Sequence, residues 1–578
     1  MASPSEVSES TSLLPMQHKQ QQQRQQQRQQ QRQQLRRGNS FVSRLHRHSK
    51  VLLVVGVVLV ATALSFSATP PPPDALQLPP TIQASAAASP IYPAKEDGMR
   101  DMLQFCEERY IAQDLDHFRA NGGDGTYQQR YFVCAKENFD PNTGAIFFYV
   151  GNEADVTLYL NNTGLMWENA KKFGALIVFA EHRYFGKSIP FGDDVLDHME
   201  FLSSAQALAD YAVLIQDLKD KMDTDVPVIG FGGSYGGMLC TWFRLKYPHI
   251  VDGVIAASAP ILAFMGDKEH PVDTEGFQRG VTFDMSEQAG SAPNCVPNVR
   301  RAFTSILDLG KTDAGRQELA ALLRVCDSNA LETEKDVSAI VDAVADAYGN
   351  LAMGNYPYST SYITSGKSFL PAYPVRAACE HLEGDFAEDD YAGLLAAFRE
   401  SFGVFLNSTK QETCFFPKIP TTSSKAVEID AKDNFYSYIE CAELYAPFSR
   451  DNEHDAFPAA PVDLIQDDAN CFAQWKVRIR LNWAVTQFGS IKALHSTSNI
   501  VFSNGKFDPW SMIGINESIS DSIVYLPIEE SAHHLDLFFS HPLDPPAVTQ
   551  ARQTELAHIR KWISEFYGNK EEKKKKRQ

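Results

Sequence analysis

Val226-Pro227-Val228-Ile229-Gly230-Phe231-Gly232-Gly233-Ser234-Tyr235-Gly236-Gly237-Met238-Leu239-Cys240-Thr241-Trp242-Phe243-Arg244 is the stretch that decides the fold. Its first six residues form an apolar β run, and from Met238 the pattern is that of a packed helix. Between them stands Gly232-x-Ser234-x-Gly236. Strand, Gly-x-Ser-x-Gly and helix in succession mark a nucleophile elbow. The glycines are needed because strand and helix must approach closely at a strained turn, where a Cβ atom would collide. The helix N-terminus then directs its N–H groups at the serine oxygen and at any neighbouring oxyanion. Ser234 is therefore the candidate nucleophile, and the backbone N–H of Tyr235 a candidate oxyanion donor.

Five further apolar runs read as buried parallel strands: Ala145–Val150, Ala175–Ala180, Val254–Ala257, Asn499–Phe502 and Ser522–Leu526. A helical pattern, Ser204–Met222, lies between the second of these and the elbow strand. Strands alternating with helices predict a doubly wound α/β sheet, here an α/β-hydrolase fold. From about Gly266 to Cys414 the periodicity is helical, as in Arg316–Arg324 and Lys335–Tyr348, so an inserted helical cap domain is expected. The predicted organisation is a first sheet part (96–264), the cap (265–414), a second sheet part (415–568) and a basic tail (569–578).

In this fold the acid and the histidine follow the serine in the chain. Asp508 stands in a tight turn after Asn499–Phe502, and His533 and His534 stand in the loop after Ser522–Leu526. Spacing does not choose between the two histidines. The second oxyanion donor is expected from Gly151-Asn152, which follows the strand Ala145–Val150. Glu153, next in line, either holds a substrate amine or folds the loop. Trp510, beside the acid, is a candidate pocket wall. No metal or other cofactor is expected: none of the nine cysteines shows the tight C-x-x-C spacing of a zinc site. Their odd count leaves at least one thiol unpaired within a single chain, and Cys240, on the elbow helix, is the candidate.

The N-terminus sets the compartment. Val51–Ala68 is an uncharged apolar run of 18 residues, near the lower limit for a spanning helix. Residues 1–50 carry a net charge of +7 out of the whole chain's −19, so the span should be a signal anchor with that tail in the cytoplasm and the folded part outside the cytosol. A cleaved signal peptide would export the folded part equally well. The remaining −26 argues against nucleic-acid binding. The Gln/Arg tract Gln17–Gln34 predicts a disordered tail, and 69–95, rich in Pro, Ala and Ser, a stalk. Export suits three glycosylation sequons, at Asn161, Asn407 and Asn516. Glu9-Ser10-Thr11-Ser12-Leu13-Leu14 is similar to an acidic dileucine sorting signal.

Five stretches carry a resemblance: Tyr149-Val150-Gly151-Asn152-Glu153, Glu181-His182-Arg183-Tyr184-Phe185-Gly186, Gly232–Leu239, Ser503-Asn504-Gly505 with Asp508-Pro509-Trp510, and Ala532-His533-His534-Leu535-Asp536. Together they resemble the family of lysosomal Pro-Xaa carboxypeptidase and dipeptidyl peptidase II. The resemblance implies a serine exopeptidase that cuts peptides after proline or alanine. It assigns the catalytic histidine to His533 and implies a disulfide Cys441–Cys471. It also implies a lysosomal or endosomal setting, with the cell surface or secretion after cleavage as alternatives. The expected partners are peptide substrates and, through one N-terminal helix, a membrane; a homodimer is one assembly open to the chain. Two departures bear on specificity. Ser511-Met512-Ile513-Gly514-Ile515 is bulkier than the family's Gly-rich segment, and Glu440-Cys441-Ala442-Glu443 replaces the more usual Ala-Cys-Thr-Glu. The rival readings are a lipase or esterase of the same fold, and a non-catalytic binding domain.

Overall fold

Eight strands build one sheet: β1 Cys106–Asp114, β2 Thr126–Cys134, β3 Ala145–Tyr149, β4 Ala175–Ala180, β5 Val228–Gly233, β6 Gly253–Ala257, β7 Ile500–Gly505 and β8 Ile523–Ile528, in the order β1-β2-β4-β3-β5-β6-β7-β8. The computed structural model describes residues 100–120, 125–327, 330–417 and 434–577. The predicted tail (1–50), apolar span (51–68) and stalk (69–95) lie outside them. Among the described residues no helix is long and apolar enough to cross a membrane.

β2 runs antiparallel to both β1 and β4, and β3 to β8 are parallel. The order and the antiparallel second strand make this an α/β-hydrolase sheet. Alternate residues face opposite sides, as the pleat requires. Ile146, Phe148, Leu176 and Val178 join one apolar cluster, while Phe147, Tyr149, Ile177 and Phe179 join another. The helices Ser204–Met222 and Tyr235–Lys246 supply the first layer through Leu208, Tyr211, Leu239 and Trp242. The opposite face is covered by Gly164–Ala170 and by Pro546–Arg577, whose Trp562 lies over Gly253 so closely that a Cβ there would meet the indole at 2.3 Å. That last helix runs on through the terminal lysines instead of stopping before them.

Two strands, β1 and β2, have no counterpart among the predicted runs. They form an antiparallel hairpin whose β1 residues are largely exposed, so Cys106–Asp114 shows none of the apolar continuity of a buried strand. A disulfide, Cys106–Cys134, ties the hairpin at its open end. Between β6 and β7 the described chain is helical. Gly276–Asp284, Cys295–Gly310, Asp313–Leu323, Glu334–Met353, Pro374–Glu380 and Tyr391–Leu406 pack around their own core of Val299, Phe303, Leu319, Val341, Tyr348 and Phe398. Cys295–Cys379 and Cys326–Cys414 cross-link that unit. Cys441–Cys471 joins the helices Tyr436–Ala442 and Leu464–Trp475, and Cys240 is a buried free thiol.

Candidate active site

Ser234 ends the elbow strand with φ 57° and ψ −126°, outside the favoured basins of an L-residue. Its N–H donates to the carbonyl of Ala257, which holds the strained turn against β6. The glycines around it answer to specific neighbours. A Cβ at Gly232 would meet the carbonyl oxygen of Gly236 at 2.3 Å, and one at Gly233 would meet the His534 ring at 2.5 Å. The helix Tyr235–Lys246 starts immediately after the serine, so its first N–H groups converge beside it.

Asp508 and His533 meet on the loops after β7 and β8. His533 Nδ1 lies 2.9 Å from Asp508 Oδ2, the imidazole donating to the carboxylate. The other oxygen, Oδ1, accepts from the backbone N–H of Trp510 at 3.1 Å. Both residues are almost wholly buried. The His533 backbone is pinned as well: its N–H donates to the Met353 carbonyl, and its own carbonyl accepts from the Tyr356 hydroxyl. His534 turns the other way, against Gly233 and Tyr362, and its N–H donates to Ser258 Oγ at 2.9 Å. Burial lowers the His534 imidazole well below its ordinary range, so that ring is neutral.

Ser234 and His533 open onto one cavity of about 320 Å³. Asn152, Glu153 and Tyr235 line it from the sheet side, Asn350, Met353 and Tyr362 from the helical insertion, and Trp510 from the loop after β7. Trp510 donates from Nε1 to Met353 Sδ and stands edge-on to Phe277, 4.7 Å between ring centroids. Gly151 is behind the wall. A Cβ there would meet the Ala180 carbonyl oxygen at 2.0 Å, and its own carbonyl accepts from the Tyr211 hydroxyl. Asn152 donates from Nδ2 to Glu153 Oε2 at 2.8 Å, and burial raises the Glu153 carboxyl. Of the three sequon asparagines, Asn516 is exposed; Asn161 and Asn407 are half-buried, their side-chain oxygens accepting from Met102 N and Glu412 N.

The model of the family described as serine carboxypeptidase S28 matches residues 113–555. The chain belongs to the serine carboxypeptidase S28 family. It is 40% identical over 463 residues to human lysosomal Pro-X carboxypeptidase, covering 79% of this chain and 88% of that one. A prolyl carboxy peptidase like protein 5 of Caenorhabditis elegans is 33% identical over 485 residues, with 79% and 90% covered. The thymus-specific serine protease of mouse is 27% identical over 482 residues, with 80% and 88% covered. The S28 chain is thus a serine-type peptidase, and the esterase and non-catalytic readings fall away.

One residue of this S28 site carries no motif, and two stand in quoted stretches whose roles the sequence left unassigned. Met353 ends a helix that starts more than five turns earlier at a Thr333–Asp336 capping box, and only the packing of the insertion brings it to Trp510. His182 lies in the loop after β4, which buried ion pairs hold: Arg183 to Asp210 at 2.7 Å, and Arg130 to Glu181. Burial lowers the His182 imidazole to about 4, leaving Nε2 to accept from the Tyr235 hydroxyl at 3.1 Å. Glu440, visible in the sequence as a departure from the family pattern, lines the cavity.

Proposed function

We propose that this chain is a proline-directed serine exopeptidase working through an acyl-enzyme on Ser234. One observation carries the reading: a buried Asp508–His533 pair opens onto the cavity that contains the strained serine. His533 Nε2 removes the proton from Ser234 Oγ as the oxygen attacks the substrate carbonyl carbon. Asp508 fixes the ring with Nε2 free and stabilises the imidazolium. The oxyanion is met by the Tyr235 N–H and by an N–H of the Gly151–Asn152 segment. The imidazolium then protonates the leaving amine, and water repeats the sequence on the ester. Trp510, Met238, Met353 and Phe448 form an apolar, aromatic wall suited to a proline ring, which lacks an N–H to be satisfied. The relatives named Pro-X carboxypeptidases support the proline preference.

The test is labelling by a fluorophosphonate, followed by hydrolysis of peptides with proline against leucine before the scissile bond. The intact protein should be labelled and should prefer proline, and Ser234→Ala should lose both reactions. Labelling that survives in Ser234→Ala would overturn the assignment.

We read Val51–Ala68 as a membrane anchor, the folded part as an inserted-cap hydrolase outside the cytosol, and its destination as the endosome or lysosome. The uncharged span, the basic residues before it, the sequons and the relatives named lysosomal support this. Asn516, the exposed sequon, is the favoured glycan site and Asn161 and Asn407 the others. Extraction at alkaline pH should leave the full chain in the membrane and release a 51–68 deletion; release of both would remove the anchor. A homodimer is one assembly open to the chain, tested by light scattering of the solubilised protein.

A further inference from the structure

The cavity beside Ser234 holds two carboxylates that the acyl-transfer scheme leaves idle, Glu153 and Glu440. Glu440 sits on the helix Tyr436–Ala442, fixed by the adjacent Cys441–Cys471 bridge. Its side chain is open to the cavity, and among the described residues its carboxylate has no hydrogen-bond or ion-pair partner. Glu153 has the Asn152 amide and its own backbone N–H as hydrogen-bond partners, and it feels the charge of His533 when that ring is protonated. None of the residues lining the cavity is lysine or arginine. The cation of the adjoining cavity, Arg100, lies over the Phe539 ring, 4.2 Å from its centroid.

Two carboxylates facing one substrate space with no lysine or arginine between them repel each other and bind a proton too readily. Glu440 keeps contact with solvent along the open cavity, yet the protein packed around it pushes its carboxyl up to about 7, and the charge of Glu153 adds to this. A substrate ammonium entering the space would relieve both costs and gain charge-assisted hydrogen bonds. A substrate carboxylate would add a third negative charge.

Resting on the exopeptidase reading above, we infer that Glu440 and Glu153 form an ammonium subsite next to the nucleophile, so that the enzyme selects peptides presenting a protonated amine within reach of the scissile bond. Two sources share that chemistry: the free α-amine of a substrate cut two residues from its N-terminus, and a Lys side chain. The other titratable groups lining the cavity are Glu153, Tyr159, Tyr235, Tyr362, Tyr436 one turn before Glu440, His533 and His534. Glu440 is pushed up to about 7 and Glu153 is raised as well, so the preference for ammonium should grow as pH rises through that range.

The experiment uses the solubilised full chain, Glu440→Gln and Glu440→Ala, all first shown to react with fluorophosphonate. The kcat/KM is measured for Ala-Pro-reporter and its N-acetyl form, and for N-acetylated peptides that differ by Lys against norleucine beside the proline. The intact protein should favour one ammonium form over its neutral match by about tenfold or more, the scale of a charge-assisted hydrogen bond. Both variants should lose most of that ratio, through KM, together with its rise near pH 7. The arm that shows the ratio identifies the source of the amine. Equal ratios in the intact protein and the variants, in both arms, overturn the subsite while leaving the serine mechanism standing. An intact protein that fails to label overturns both.

Discussion

Asp508 divides its carboxylate, one oxygen to the Trp510 amide and the other to His533. Replacing it by asparagine keeps the shape and breaks the second bond. The amide oxygen would still accept from Trp510 N–H, so the NH2 group would be turned toward His533 Nδ1. The ring could meet that donor only as an acceptor, which puts its own proton on Nε2, where the serine needs a vacancy. Asp508→Asn should therefore lower kcat by roughly 10³- to 10⁴-fold, while thermal unfolding shifts by little. Loss of only a few-fold in single-turnover kinetics would show that the ring is oriented by something else. At this scale the sequence was partly legible. Motif order led to Ser234 and Asp508, but two adjacent histidines have the same spacing to everything. What separates them is a backbone conformation, φ 39° at His534, which throws successive side chains to opposite sides of the loop.

Elements built from apolar continuity could be read before any coordinates. β3 to β7 are buried runs and β8 is an apolar one, and Ser204–Met222 begins and ends where its pattern does, with Ser203 as its N-cap. β1 was invisible because its residues are largely exposed at the sheet edge, and β2 because the buried polar residues Gln129 and Arg130 break its apolar pattern. The helical insertion was legible as helix, but its contacts with the site were not, because Met353, Asn350 and Tyr362 reach the cavity only through tertiary packing. Those helices rely on bridges that close long loops. Cys295–Cys379 spans 84 residues, for which loop-closure entropy gives about 4 to 5 kcal/mol. A Cys295→Ser/Cys379→Ser double variant should raise hydrogen exchange in 276–415 far more than in β3 to β6. Uniform loss of protection across both would mean that insertion and sheet unfold as one.

Buried carboxyl groups set the behaviour of the whole molecule with pH. Burial raises Asp284, and it raises Glu555 beside Asp536, well above the usual range; Glu443 and Asp252 are raised as well. An acid whose folded pKa is raised gives stability that is complete below its unfolded value, roughly pH 4, and drains away as pH climbs through the folded value. Asp210, held down by Arg183, works in the opposite sense and is lost only as pH falls below about 4. The thermal midpoint should therefore be higher near pH 5 than near pH 8, and Glu555→Gln should flatten the fall. A midpoint that climbs steadily toward pH 8 would refute this. None of this is visible in a composition, since it depends on which acids end up inside. The sheet's topology carries one more consequence. β6 and β7 are neighbours, yet the chain leaves the first at Ala257 and reaches the second only at Ile500. During synthesis the serine is made long before its base, and the central ribbon stays unfinished until the entire excursion has emerged. A ribosome that stalls anywhere in that interval releases a product without its base, so the chain stays inert until about its last seventh has been delivered.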